Sequence, residues 1–205
     1  MLTVSETFFS AGNMFRQMIG SAMSSVRAGD QKMVLYQPNR AGRLELTLAS
    51  SSFSSGLEIP RHCTPMHGNV SPDLSWSGVP AGTRELVLIV EDPDAPMPSP
   101  FVHWIIHRIP PTLKSLPAGL PGERVLTQLG GAVQCQNDAK TRGWHGPKPP
   151  LGHGIHHYHF QLFAVDTQLS LGPDATLDEI SRALRGHVLA DGEIVGTYER
   201  TAYSS

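Results

Sequence analysis

The sequence has few cysteines, few charged residues and no long apolar run, and each shortage excludes a class of protein. Only 2 cysteines occur among 205 residues, too few for a disulfide framework. No window of about 18 apolar residues is present, so we expect no transmembrane segment. Residues 1–30 lack the basic start, apolar core and small-residue cleavage site of a secretory signal. We therefore expect a cytoplasmic protein with both cysteines reduced.

Basic residues are scarce as well. The 16 Lys and Arg residues are scattered along the chain, and the net charge is −2. Because a nucleic-acid backbone is bound by clustered positive charge, we expect no nucleic-acid partner. Hydrophobic residues make up 40% of the chain, and 20 glycines and 17 prolines are spread along it. This composition indicates a globular, β-rich chain with many turns.

The N-terminal segment has the periodicity of a helix. Apolar residues such as Phe8, Phe15, Met18 and Ile19 recur at three- and four-residue steps, which predicts an amphipathic helix within 7–26. Two interpretations stay open for its apolar face. The favoured one is packing on its own domain, and the other is contact with a second subunit in a homodimer. We divide the chain into an N-terminal helical extension, 1–30, and a domain, 31–205.

After residue 43 the pattern becomes that of β-strands. Leu44, Leu46 and Leu48 alternate with polar residues, which predicts a strand over 44–48 with one exposed face. Continuous apolar runs at 86–90, 102–109 and 160–165 predict buried strands, and Pro- and Gly-rich turns separate them. Several strands joined in this way are typical of a β-sandwich or barrel.

A second helix is predicted near the C-terminus. Thr176 and Glu179 have the spacing of a capping box, in which each side chain bonds the backbone N–H of the other. Leu177, Ile180 and Leu184 follow as a one-sided apolar stripe, and Gly186 is a typical residue for the end of such a helix.

Two aspartates follow the predicted strand 86–90 directly. Pro93 follows Asp92 directly and Pro96 lies two residues after Asp94, in the segment Asp92-Pro93-Asp94-Ala95-Pro96. Proline fixes φ and removes a backbone donor, so the strand must end here in a rigid turn that holds both carboxylates. One Asp-Pro alone is most often a turn whose side chain caps its own backbone. Two aspartates together, after a buried strand, favour a functional site.

Histidines provide the second group of candidates. His103 lies on the predicted strand 102–109, where alternation places it with Ile105 and His107, opposite Trp104. Alone, such a histidine is more often a core residue than a ligand-binding one.

Four of the 10 histidines lie between residues 153 and 159. Alternation places His156, Tyr158 and Phe160 on one face of a strand, and His157 and His159 on the other. In one interpretation, His156 and Tyr158 donate hydrogen bonds to phosphate or carboxylate oxygens, with the proline-rich segment 146–152 as a pocket rim. In the other, His153, His157 and His159 bind zinc or copper. No Cys pair or His-Glu-x-x-His pattern supports a closed metal site.

These motifs together resemble the phosphatidylethanolamine-binding family, which includes the Raf kinase inhibitor protein. The resemblance covers roughly residues 43–200, in its bacterial and archaeal branch. The resembling segments share their order and spacing with the family: Asn69-Val70-Ser71-Pro72, Asp92-Pro93-Asp94-Ala95-Pro96, His103-Trp104, Gly146-Pro147-Lys148-Pro149-Pro150, Gly154-Ile155-His156-His157-Tyr158 and Val195-Gly196-Thr197-Tyr198.

The resemblance implies a mostly β fold, in which a large sheet packs on a smaller one, with short C-terminal helices. It also implies a small cavity for phosphate-like or carboxylate-like anions. By motif match the ligand-binding residues are Asp92, His103, Pro150, His156 and Tyr158, with Asp94 shaping the turn. Two positions depart from the family pattern: His157 stands where Arg is frequent, and Lys148 where a small residue is usual.

Three classes of function follow. The first is a binding or regulatory protein that takes a phosphorylated partner or a phospholipid head group, as a kinase or protease inhibitor does. The second is a hydrolase that uses Asp92 with His103 or His156 as acid and base. The third is a His-rich metal-binding protein. We favour the first, with no cofactor and no catalytic residue, because no Gly-x-Ser-x-Gly motif appears.

One hypothesis explains a carboxylate in an anion site. Asp92 accepts a hydrogen bond from an imidazole and favours its charged form, which then donates to the anion. The carboxylate can also accept a hydrogen bond from a protonated phosphate or from an ammonium group.

Overall fold

In this computed structural model, which describes residues 14, 16–36 and 42–201, ten strands form two sheets. The strands are β1 (Leu44–Glu45), β2 (Thr47–Ala49), β3 (Leu74–Ser77), β4 (Glu85–Asp92), β5 (Phe101–Ile109), β6 (Ser115–Leu116), β7 (Val125–Leu126), β8 (Ala132–Gln134), β9 (Ile155–Val165) and β10 (Val188–Glu199). Over the described ranges, seven strands form the large sheet, in the order β1-β10-β9-β4-β5-β8-β7, and β2-β3-β6 form the small one. The predicted fold class, a large sheet packed on a smaller one, is confirmed.

The centre of the large sheet is apolar on both faces because both are covered. Every residue of β4 is buried, as the continuous run predicted. The inner face packs on the small sheet, where Phe160 of β9 meets Trp76 and Leu48 in one core cluster. The outer face forms a second cluster with α2 (Leu177–Leu184) and the 3₁₀ turn Val34–Tyr36.

Helix α2 begins as predicted. The Thr176 hydroxyl accepts a hydrogen bond from the Glu179 N–H, and the Glu179 carboxylate accepts one from the Thr176 N–H, so the capping box is complete. Ile180 and Leu184 are buried against the outer face of the sheet. Gly186 follows the helix with a φ of 79°, a conformation that glycine adopts without strain.

The single strand predicted over 44–48 is wrong in one respect. The chain leaves the large sheet after Glu45 and enters the small sheet at Thr47, so the segment forms two strands. Leu46 lies at the crossing, where its N–H donates to the Asp191 carbonyl oxygen and its side chain is buried. Alternating polarity does not distinguish one strand from two that join different sheets.

The predicted N-terminal helix is described only in part. Residue 14 and residues 16–22 are helical, and we call 16–22 α1. Phe8 and Phe15 lie outside the described residues, as do all positions of the prediction before residue 14. The described part packs against the domain: a Cβ on Gly20 would lie 2.0 Å from the Leu151 carbonyl oxygen. The homodimer and the 1–30 boundary stay predictions.

Both cysteines are buried free thiols. Burial raises the pKa of Cys63 and of Cys135 to about 11. None of the helices in the described ranges has the length and hydropathy that a membrane crossing requires.

Candidate anion site

A cavity of about 320 Å³ opens where β4 ends and β5 begins. Five of the six predicted site residues line it: Asp92, His103, Pro150, His156 and Tyr158. The remaining lining residues are Ala95, Pro96, Met97, Phe101, His145, Lys148 and Pro149.

Asp94, the sixth predicted residue, lies outside the cavity lining and binds neighbouring segments. Its Oδ2 accepts hydrogen bonds of 2.7 Å from both the N–H and the Nδ1 of His157, and its Oδ1 pairs with Arg27 at 2.5 Å. Burial opposes ionisation of Asp94, but these hydrogen bonds and the Arg27 charge outweigh it. They hold the pKa of the carboxyl below its ordinary value.

Asp92 combines the two roles that its sequence context suggested. Its Oδ1 accepts a hydrogen bond from the Asp94 N–H at 2.8 Å, which is the self-capping of an Asp-Pro turn. Its Oδ2 lies 2.7 Å from His156 Nδ1, inside the site. Capping the turn therefore does not prevent Asp92 from lining the cavity.

A β-bulge directs His103 into the cavity. In the pairing of β4 with β5, Val90 faces Trp104 and Glu91 faces Val102, so His103 is an extra residue. Its ring therefore lies on the same side as Trp104 and contacts Tyr158, with ring centroids 5.0 Å apart. The prediction that His103 and Trp104 point to opposite faces is wrong, because strict alternation does not survive a bulge.

His103 presents a lone pair to the cavity. Its Nδ1 lies 2.5 Å from the His145 carbonyl oxygen, and since a carbonyl only accepts, Nδ1 carries the proton. Burial lowers the pKa of His103 to about 4, so the ring is neutral at physiological pH. Its Nε2 is then an acceptor, and this buried atom has no partner among the described residues.

The Tyr158 hydroxyl is the complementary donor. It is fully buried and has no hydrogen-bond partner in the described part of the chain. Burial, with the nearby Asp92 carboxylate, raises the pKa of Tyr158 well above its ordinary value, so the O–H is retained. Among the buried side-chain atoms of the described lining residues, the cavity thus offers one open acceptor and one open donor, each on a ring.

Strand β9 alternates as predicted around His156. Tyr158 and Phe160 pack into the inner core, whereas His157 lies on the other side and is half exposed. Both nitrogens of His156 are engaged: Nδ1 with Asp92, and Nε2 with His153 Nδ1 at 2.7 Å. His156 therefore orients Asp92 and offers no free N–H to a ligand.

The side chain of Asn69 anchors the start of the rim segment that precedes His156. The Asn69 side chain donates to the Trp144 carbonyl and accepts from the Gly146 N–H, both at 2.8 Å. Gly146 allows this loop to approach closely, since a Cβ there would lie 1.8 Å from the Cys63 carbonyl oxygen. The exposed Lys148 projects from the same loop at the cavity rim.

The three histidines considered as metal ligands bind different partners. His153 Nε2 lies 2.8 Å from the Met23 carbonyl oxygen, His157 pairs with Asp94, and His159 pairs with Glu193. Within the described residues no group of three or more His, Cys, Asp or Glu side chains is arranged to hold a metal.

Sequence reasoning missed two contributors to the site. His145 supplies the carbonyl that fixes the His103 tautomer, and only its position beside the Gly146-Pro147 rim could have indicated this. Arg27 lies in the extension and reaches Asp94, a contact 67 residues distant that no local pattern indicates.

Comparison with known families identifies this arrangement. The family model described as phosphatidylethanolamine-binding protein matches residues 49–199. The chain belongs to the phosphatidylethanolamine-binding protein family. The resemblance drawn from the sequence motifs is thereby confirmed.

The relatives and solved structures agree with this membership. A UPF0098 protein of Pyrococcus abyssi is 41% identical over 159 residues, which cover 78% of this chain and 88% of the relative. The crystal structure of Escherichia coli YbcL matches with a TM-score of 0.70 and 34% identity, over 76% of this chain and 99% of YbcL.

One relative bears on location. A Mycobacterium tuberculosis protein named lipoprotein LppC is 38% identical over 154 residues, which cover 75% of this chain and 72% of the relative. A cytoplasmic location for the present chain stays a prediction.

Proposed function

We propose that this chain is a binding or regulatory protein whose cavity takes one small phosphate-like or carboxylate-like group that itself carries a proton. The group would belong to a phosphorylated partner, which carries a phosphomonoester, because the phosphodiester of a phospholipid head group has no P–OH to donate. The resemblance to a family that includes kinase and protease inhibitors supports a regulatory role without catalysis.

A single observation carries the proposal: one cavity contains both an open donor, the Tyr158 O–H, and an open acceptor, His103 Nε2. Both atoms are buried, line one cavity and lack partners among the described residues. Leaving a buried polar group unsatisfied costs about 1–3 kcal/mol, so such groups point to a missing ligand or water. A ligand that satisfies both must accept from Tyr158 and donate to His103. A monoanionic phosphate, with one P–OH and charged P–O oxygens, does both.

This proposal modifies the hypothesis of a charged imidazole donor. His103 is neutral near pH 7, and His156 has no open N–H, so neither donates to the anion. The donors are instead the Tyr158 hydroxyl and, at the rim, the exposed Lys148 ammonium. Asp92 remains available to accept from a protonated phosphate or an ammonium group, as the sequence suggested.

The size of the cavity restricts the ligand to one head group. Ligand pockets span roughly 300–1,000 Å³, and 320 Å³ lies at the lower limit. A phosphate with a short substituent fits such a volume, and the rest of a larger partner would remain outside.

The chemistry of the lining supports binding without turnover. Among the described residues that line the cavity, none is Ser, Thr or Cys, so the Tyr158 phenol is the sole hydroxyl. A hydrolase that uses Asp92 with His103 or His156 stays a prediction, and it would have to activate a water. Incubation of the protein with p-nitrophenyl phosphate, with release of p-nitrophenolate as the readout, tests that alternative.

Titration calorimetry with O-phosphoethanolamine at pH 5.5 and pH 8 tests the proposal. The second pKa of a phosphomonoester is about 6, so the P–OH is present at the lower pH and lost at the higher. We expect the affinity to fall at least about tenfold between the two. Sulfate, which carries no proton at either pH, is the matched control and should bind weakly at both. Equal affinity for O-phosphoethanolamine at both pH values would contradict the proposal.

A further inference from the structure

The N-terminal extension touches the back of the cavity wall. Its Ser21 hydroxyl donates to the Gly152 carbonyl, and the Ala28 and Gly29 N–H groups donate to carbonyls of the Asp92–Met97 turn, Ala95 and Pro93. These contacts bring the Met23 carbonyl oxygen to His153, the residue that bonds His156.

The result is a continuous chain of hydrogen bonds from the extension to the cavity. The Met23 carbonyl oxygen lies 2.8 Å from His153 Nε2, His153 Nδ1 lies 2.7 Å from His156 Nε2, and His156 Nδ1 lies 2.7 Å from Asp92 Oδ2. All three distances are those of real hydrogen bonds, and each bond needs one proton.

The number of protons that these hydrogen bonds need determines the charge of the Asp92–His156–His153 group. Two neutral imidazoles contain two exchangeable N–H protons, and an ionised Asp92 contains none. Three hydrogen bonds require three protons, because the Met23 carbonyl can only accept. All three hydrogen bonds therefore form only if the group Asp92–His156–His153 holds one extra proton, which gives it a net charge of zero.

The extra proton is best placed on His156. Burial and the neighbouring His156, with a further contribution from Arg27, lower the pKa of His153 by more than the backbone of Met23 and Val26 raises it, which disfavours a charged ring there. His156 faces the Asp92 carboxylate directly and can form a charge-assisted hydrogen bond with it.

The Met23 carbonyl is the element that demands the third proton. Without it, two protons would satisfy the chain: His153 Nδ1–H would donate to His156, His156 Nδ1–H would donate to Asp92, and His153 Nε2 would accept from water. The group would then have a charge of −1 beside the cavity. With Met23 in place, that state sets a lone pair of His153 against a carbonyl oxygen.

We propose that the extension takes part in anion binding. Its docking at Met23 retains a proton in the Asp92–His156–His153 group and so removes a negative charge that would repel an anion. This rests on the proposed anion-binding function. Because linkage is reciprocal, anion binding must favour docking of the extension, and docking must favour proton uptake.

Among the other charged groups around these three residues, Arg27 adds to the lowering of the His153 pKa and so supports placing the proton on His156. Arg27 from the extension is paired with Asp94 from the β4 turn, and Asp94 also holds His157 of β9. His103 from β5 is neutral above about pH 4, and Tyr158 of β9 keeps its proton. Lys148 at the rim is a fixed positive charge.

Gly20→Ala disturbs docking of the extension and leaves the titrating residues themselves unchanged. A Cβ at residue 20 would lie 2.0 Å from the Leu151 carbonyl oxygen, so α1 must move away, although alanine itself favours a helix. Gly172→Ala is the matched control, because nothing lies within 4 Å of a Cβ there. His153→Ala, which removes the middle of the chain, is a second route to the same state.

The experiment has two readouts, made on the full chain. Imidazole ¹⁵N chemical shifts of His153 and His156 in the ligand-free protein report the extra proton, and calorimetry with inorganic phosphate reports binding at pH 7. In Gly20→Ala we expect the His153–His156 titration to shift at least one pH unit lower and the phosphate affinity to fall about tenfold. Gly172→Ala should match the wild type in both.

The outcomes distinguish the inference from the function on which it rests. An unchanged imidazole titration in Gly20→Ala, or a shifted one with unchanged phosphate affinity, would overturn the coupling. In His153→Ala, loss of phosphate affinity supports it and an unchanged affinity opposes it. If the wild type binds no phosphate, the proposed function fails, and the titration alone then decides whether docking retains the proton.

Discussion

The two faces of strand β9 carry polar side chains in similar number, yet they differ in how those side chains are satisfied. On the outer face His157 bonds Asp94, His159 bonds Glu193, and Gln161 bonds both Glu91 and the Leu35 N–H. On the inner face the Tyr158 hydroxyl has no partner among the described residues. His157 and Gln161 on the outer face thus help to hold the extension and the 3₁₀ turn Val34–Tyr36 to the sheet, whereas the Tyr158 hydroxyl on the inner face stays open.

This difference separates stability from binding. A change on the outer face should alter chiefly the free energy of unfolding, and it should alter affinity only as far as it also loosens the extension. A change on the inner face should alter affinity at little cost in stability. Three substitutions test the separation, in order of decreasing effect.

The largest effect is expected from Asp94→Ala. The substitution leaves the N–H and ring of His157 and the Arg27 guanidinium without their acceptor, which should cost about 2–3 kcal/mol of unfolding free energy at pH 7. Urea denaturation measures this cost. Asp166→Ala, which breaks the exposed pair with His187, is the control and should cost less than about 1 kcal/mol.

The same comparison has a defined pH dependence. The folded pKa of Asp94 is depressed, so its contribution is present above the ordinary value of about 4 and is lost as the pH falls through the folded value. The gap between wild type and Asp94→Ala should therefore narrow below pH 4. A constant gap would assign the cost to packing rather than to the carboxylate.

An intermediate effect, on affinity alone, is expected from Tyr158→Phe. Removal of the unpartnered hydroxyl should weaken O-phosphoethanolamine binding about tenfold, or about 1.4 kcal/mol, and leave the unfolding free energy within about 1 kcal/mol. Tyr198→Phe removes a hydroxyl from another buried tyrosine that does not line the cavity. If both variants bind alike, the inner face is not the binding face.

The smallest effect is expected from Glu91→Gln on the outer face. Burial raises the pKa of Glu91 above its ordinary value of about 4.3, despite hydrogen bonds from Val34 N–H and Gln161. Its contribution to stability is thus complete below pH 4.3 and is lost as the pH rises through the folded value. A glutamine does not ionise, so from pH 4 to pH 7 the unfolding free energy should shift about 1 kcal/mol in favour of the variant. Parallel pH profiles of the unfolding free energy for the wild type and the variant would show that burial does not raise the pKa of Glu91.

The sequence predicted those features that depend on local periodicity. The buried strands β4, β5 and β9, the capping box of α2 and the inward position of His156 and Tyr158 all follow from alternation or from short motifs. The resemblance to a known family added the two-sheet architecture and brought five cavity residues together in advance. The strand and helix predictions hold because each rests on spacing within one element.

The errors share the opposite property. Whether residues 44–48 form one strand or two depends on which sheets lie beside Leu46. The orientation of His103 depends on the register between β4 and β5, because an unpaired residue in one strand is recognised only against its neighbour. The contacts of Met23 with His153 and of Arg27 with Asp94 join segments far apart in sequence. Local patterns in a single sequence contain no signal for these contacts.

The inertness of the two native thiols makes the molecule easy to label. At pH 8 a thiol with a pKa of about 11 is roughly one part in a thousand thiolate, and Cys63 and Cys135 are also enclosed by the core. A maleimide dye should therefore react almost solely with a cysteine introduced on the surface. Met97, 42% exposed and part of the cavity lining, is suited to such a replacement. A fluorophore on Met97→Cys would convert occupancy of the cavity into an optical signal in a mixture of unpurified candidate partners.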